Sequence, residues 1–170
     1  MTRTRVYALV ALLAALGSAV LMPAPAAAQS LLIEKQLSLQ LAQEAATGAI
    51  EQCRKDGYKV TVTVVDRAGR IKAVLRDDGT GPHTLDTSKR KAYTSLTFKT
   101  STNEFAKRAA TVPGAAGLKD VDGVITLGGG LPILSGSEVI GAIGVGGAPG
   151  GEKDEACSQA GINRIAERLK

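Results

Sequence analysis

Apolar residues recur at every fourth position in Leu41, Ala45, Ala49 and Cys53, a spacing that lays one stripe along the side of an α-helix. Ser38 is suited to cap that helix, which the pattern carries to about Asp56, and Gly57 supplies a stop. Ahead of it, Leu31 to Leu37 alternates weakly and is expected to be extended. Behind it the period becomes that of β structure. Val60 to Val65 is rich in β-branched side chains, Asp66-Arg67-Ala68-Gly69 forms a turn, and Ile71 to Leu75 completes a hairpin. The stretch from Asp77 to Pro82 reads as a loop that delivers the chain to His83 and a helix from about Asp86 to Phe98, with a shorter helix after Thr102. Three further strands are predicted, at Val124 to Leu127, Leu131 to Leu134 and Val139 to Val145, the last two joined by the turn Ser135-Gly136-Ser137. A final helix starts near Asp154 and carries Cys157, Gly161, Ile165 and Leu169 on one stripe. Short turns between strands imply antiparallel pairing, and helices distributed along the chain imply a sheet covered on both faces. The expected fold is therefore α/β in the mixed α+β sense, with about five strands between two helical layers.

The N-terminus follows a different pattern. Arg3 and Arg5 precede an apolar run from Val6 to Met22, which breaks at Pro23 and Pro25 before Ala26-Ala27-Ala28. This is the layout of a secretory signal, with residues 1–28 removed and Gln29 as the new first residue. The alternative is an uncleaved anchor, since about 17 apolar residues lie at the lower edge of what spans a bilayer. Cleavage leaves 142 of the 170 residues, room for one domain over 29–170 and for no second one. The expected location is periplasmic or secreted, without stable membrane insertion. Losing the two arginines lowers the formal charge from +5 to +3, and the remaining basic residues alternate with acidic ones, so no nucleic-acid partner is indicated. With no Trp, two Phe and three Tyr, base-stacking platforms are excluded and the core must be built from Val, Ile, Leu and Ala.

Candidate chemistry is sparse. The glycine-rich run Gly141 to Gly151 lies between a strand and a helix, yet a dinucleotide fingerprint starting at Gly144 would place Pro149 where its third glycine belongs. It is not a phosphate loop either, because no Ser or Thr follows Lys153. Gly128-Gly129-Gly130 permits close backbone approach or the floor of a flat ligand slot, and the residues alone leave both open. Cys53 and Cys157 sit among small residues on the first and last helices, which allows a disulfide if those helices are antiparallel neighbours, with buried free thiols as the alternative. A single histidine rules out a zinc cluster, and the absence of a GxSxG elbow rules out a hydrolase triad of that type. Asp77 and Asp78 read as turn residues. His83, at a loop-to-helix junction with Lys89, Arg90 and Lys91 beyond it, has the minimum set for an iron porphyrin: imidazole on the metal, cations on the propionates.

The ordered segments Val62 to Gly69, Arg76-Asp77-Asp78-Gly79, Lys89 to Thr94, Gly128 to Ile133, Val139 to Val145 and Asp154 to Cys157 resemble the GlcG/HbpS haem-binding family, which is related to the C-terminal domain of PduO-type proteins. The resemblance implies a profilin-like α-β-α sandwich that assembles into homo-oligomers and takes haem or a related tetrapyrrole, a corrinoid being the less expected cofactor. The ligand site expected on the residues above is His83, Lys89, Arg90, Lys91 and Arg76; His83 is placed on the haem iron by its position in this chain, since members of the family differ in the group that approaches the iron. Gly146 departs from the many relatives that carry Ser there. The expected function is an exported haem-binding protein for scavenging, storage or sensing. The alternatives are an enzyme degrading haem or turning over a small metabolite in the same pocket, and an oligomerisation module with no ligand.

Overall fold

The computed structural model describes residues 30–170, so the expected signal segment 1–28 and the expected cleavage site after it lie outside the described residues. Leu31, Leu32 and Ile33 are exposed and belong to no helix or strand; the body of the domain runs from Glu34 to Lys170. Leu37 is buried, but the expected extended stretch before the first helix joins no sheet.

Helix α1 spans Leu39–Lys55, with the Ser38 hydroxyl accepting from the Leu41 N–H as a cap and Gly57 at φ +82° beyond its end. Strands β1 (Thr61–Asp66) and β2 (Ile71–Arg76) form the predicted hairpin, and helix α2 occupies Thr84–Phe98. Helix α3 (Thr102–Thr111) continues into a 3-10 stretch, Pro113–Asp120, that the sequence pattern does not reveal. Strands β3 (Gly130–Ser135) and β4 (Glu138–Gly146) precede helix α4 (Gly151–Ile165). The sheet has four antiparallel strands in the order β2-β1-β4-β3, one fewer than expected. Residues 124–127 are the difference. The Val124 carbonyl accepts from Arg90 and the Ile125 N–H donates to the Thr94 hydroxyl, so α2 side chains take the hydrogen bonds that a neighbouring strand would have supplied.

The two sheet faces are built differently. On one, Val62, Val64, Ile143, Val145 and Ile133 pack against α1 and α4 in the main hydrophobic core. The two helices touch through backbone: a Cβ on Gly161 would stand 2.4 Å from the Ala45 carbonyl oxygen. This closeness brings Cys53 and Cys157 together, with Cα atoms 5.5 Å apart and sulfurs at 2.05 Å. On the other face α2 lies against Thr61, Thr63 and the glycines of β3 and β4. Thr61 pairs with the Thr84 hydroxyl at 2.7 Å and Thr63 with the Ser88 hydroxyl at 2.8 Å, so the buried oxygens are satisfied in pairs. Thr63, Gly144 and Gly130 lie in register across three strands. A Cβ at Gly144 would meet the Ser88 carbonyl oxygen at 2.2 Å, and one at Gly130 the Lys91 carbonyl oxygen at 2.3 Å. These glycines thus serve close backbone approach: α2 fills the space that a ligand slot would have used.

Candidate functional site

Helix α2 carries the chemistry on two faces. His83, Thr87 and Lys91 follow one another at four-residue spacing and line one side of a recess of about 250 Å³. The opposite wall comes from Leu127 and Gly128, from the loop Gly147 to Gly151, and from Asp154 on α4. His83 is the residue before the first turn of α2, exposed, and its side chain makes no capping hydrogen bond. Its ring folds back over Gly81, where a Cβ would lie 2.7 Å from Cε1 and 2.9 Å from Nδ1. The helix α4 also begins without a side-chain cap, at Gly150, so two positive helix ends border the same recess.

Lys91 and Asp154 form the floor. The Lys91 ammonium donates to Asp154 Oδ2 at 2.6 Å and to the Val145 carbonyl at 2.9 Å, and Asp154 Oδ1 accepts from the Ala148 N–H at 3.0 Å. Burial pushes the Asp154 carboxyl up, while the Lys91 ammonium beside it and the loop N–H groups pull in the other direction. Next to it, Asn103 donates to Glu155 at 2.6 Å, and burial likewise raises the Glu155 carboxyl. Thr87 carries no motif in the sequence; its one signal is its place midway between His83 and Lys91. Its hydroxyl lies 2.9 Å from where a Cβ at Gly146 would stand, so Thr87 occupies the space that a side chain at position 146 would need.

The other predicted residues lie elsewhere. Lys89 and Arg90 open onto a second, larger groove of about 610 Å³, bordered by Tyr93, Lys119 and Asp122. Arg90 is engaged there, donating to the Val124 carbonyl at 2.5 Å and standing 3.6 Å from Asp86. Arg76 ends β2, donates to the Thr80 carbonyl and borders neither cavity. The basic run therefore does not act as one cluster beside His83: a helix turns 100° per residue, so Lys91 faces the recess while Lys89 and Arg90 face away from it. Tyr93 was also unmarked. Its ring is held between Gly69 and Gly123, each of which would bring a Cβ to 3.2 Å from it. Asp77 is structural, as its turn context implied: Arg54 donates to both of its oxygens at 2.9 Å, and this pairing holds its carboxyl below the usual range.

Haem fits this geometry in one respect. An exposed imidazole without a capping role stands at the rim of a recess walled by glycines, Ala148 and Leu127. The cations do not complete the fit, since Lys91 is committed to Asp154, and a 250 Å³ recess is too small to enclose a ligand of that size.

Known proteins share this arrangement of elements. A double mutant of HbpS from Streptomyces reticuli superposes with a TM-score of 0.75 at 41% sequence identity, over 84% of this chain and 97% of that one. A complex of PduOC with haem superposes at 0.70 and 26% identity, over 77% and 96% of the two chains. The GlcG protein of Escherichia coli K12 is 27% identical over 109 residues, 64% of this chain and 80% of its own length. The model of the family described as haem degrading protein HbpS-like matches residues 37–163, and the chain belongs to that family.

Proposed function

We propose that this is an exported haem-binding protein that holds the iron through His83 at the rim of the glycine-walled recess. The observation that carries the reading is the His83 imidazole, exposed and free of any capping bond beside that recess; the structural likeness to a haem complex of PduOC supports it. Haem, when bound, supplies a redox-active iron. The chain's own part is to present a ring nitrogen at the start of α2, to place the Thr87 hydroxyl one turn further in, and to offer a wall of glycines and Ala148, with Leu127 as its apolar edge, that a flat ring system can approach. The recess leaves most of a porphyrin uncovered, which favours assembly of copies in which a second chain covers the rest. Scavenging, storage and sensing are the roles that such exposed binding suits.

A titration of the mature protein with haem tests the reading. His83→Ala should shift the Soret band and weaken binding, and Tyr93→Phe should change neither. If His83→Ala leaves both unchanged while Tyr93→Phe alters them, the 610 Å³ groove beside Lys89 and Arg90 is the site. If the wild type shows no saturable binding, the haem reading fails. Degradation is the second reading, favoured by the family's description; release of iron with an opened tetrapyrrole, formed with dioxygen as the oxidant of the ring and a reductant supplying electrons to the iron, would establish it. Export predicts an intact mass that begins at Gln29, and recovery of the uncleaved chain from membranes would refute it.

A further inference from the structure

The loop from Gly146 to Gly151 leaves β4 and opens α4, and it walls the recess. Gly147 and Gly150 sit at φ +135° and +124°, where only glycine is at ease, and the backbone bond within the loop, from the Gly150 N–H to the Ala148 carbonyl at 2.9 Å, ties it to itself but to no neighbouring element. Its shape is set from beneath. Lys91 reaches from α2 to the Val145 carbonyl just before the loop, Asp154 reaches from α4 to the Ala148 N–H within it, and the two side chains bond to each other. The pair is 5% and 4% exposed. Burying two charges adds little to stability, because their lost hydration offsets their attraction. What such a pair provides is direction, since its hydrogen bonds, at 2.6, 2.9 and 3.0 Å, are charge-assisted and join α2, the end of β4, the loop and α4.

We infer that Lys91 and Asp154 are positioning residues for the recess. They hold the Gly146–Gly151 wall at a set distance from His83 and Thr87, so that ligand meets a preformed surface rather than a loop it must order. The ligand half of this inference rests on the haem reading of the recess; the loop half does not.

The test replaces both charges at once, with Lys91→Met and Asp154→Leu, because apolar pairs of similar volume commonly preserve folding where a single Asp154→Asn would strand a buried ammonium. Two readouts apply to the folded double variant. Exchange of the Gly150 amide, whose acceptor is the Ala148 carbonyl at 2.9 Å and which neither substitution removes, followed by NMR without haem, should accelerate about tenfold or more while that of Val64 in the core is unchanged. Haem affinity should fall by about tenfold, the usual scale for a lost supporting shell, with the Soret band where the wild type has it because His83 is intact. Unchanged Gly150 exchange overturns the inference. So does faster exchange with undiminished haem affinity. If wild-type protein binds no haem, the functional reading falls separately, and Gly150 exchange alone then decides whether the pair holds the wall.

Discussion

Adding one methyl group at Gly144 should lift α2 from the sheet. A Cβ there would lie 2.2 Å from the Ser88 carbonyl oxygen, 2.5 Å from the Ala92 nitrogen and 3.1 Å from the Lys91 Cβ, whereas ordinary contacts begin at 3.4 Å. The nearest obstacles are helix backbone, which cannot rotate away as a side chain tip would, so the helix must rise by roughly 1 Å. Overpacking of this kind costs about 1–3 kcal/mol. The same shift stretches the Thr61–Thr84 and Thr63–Ser88 hydroxyl pairs, each worth on the order of 1 kcal/mol. Gly144→Ala should therefore destabilise by about 3–5 kcal/mol, a large part of a domain's typical stability, and lower Tm by roughly 10 °C. Urea and thermal unfolding followed by circular dichroism measure it. Gly114→Ala is the control: nothing stands within 4 Å of its Cβ position, and its stability should change by no more than about 0.5 kcal/mol. A Gly144→Ala protein as stable as that control would refute the account of how α2 is seated.

Non-reducing peptide maps of the natively folded protein should join Cys53 to Cys157, and because the bond closes 104 residues, Cys53→Ser with Cys157→Ser should cost on the order of 4–5 kcal/mol in urea unfolding. Gly81→Ala should leave unfolding within about 0.5 kcal/mol but push the His83 ring aside, so haem titration should show a moved Soret band or weaker binding if His83 is the ligand. Asp77 has its carboxyl lowered first by the Arg54 hydrogen bonds, so its stabilising contribution is full above the ordinary carboxylate range and lost as pH falls through the lower folded value. Asp77→Asn should accordingly flatten the acid limb of a stability-versus-pH curve below about pH 4 and destabilise at neutral pH; an acid limb identical to wild type would disprove it.

Much of this domain is local chemistry and was legible in the chain. The four-residue stripe of α1, the Ser38 cap, the β1–β2 hairpin turn and the Ser135-Gly136-Ser137 turn depend on residues within a few positions of each other, so composition and period suffice to place them. That Cys53 and Cys157 could meet was legible as one of two readings, because the small residues around both cysteines allow helices to cross closely; the structure brings their Cα atoms to 5.5 Å. Other features depend on partners far along the chain. Residues 124–127 have the composition of a strand, but whether they join the sheet turns on Arg90 and Thr94 offering their hydrogen bonds first. Lys91 is one of three adjacent basic residues in the sequence; only the rotation of α2 over the sheet separates it from Lys89 and Arg90 and buries it against Asp154, 63 residues away. The glycines of β3 and β4 show the division most plainly. Their identity says that something comes close, and only the tertiary structure decides that it is the backbone of α2, because closeness of packing is a property of two surfaces and a sequence presents them one at a time.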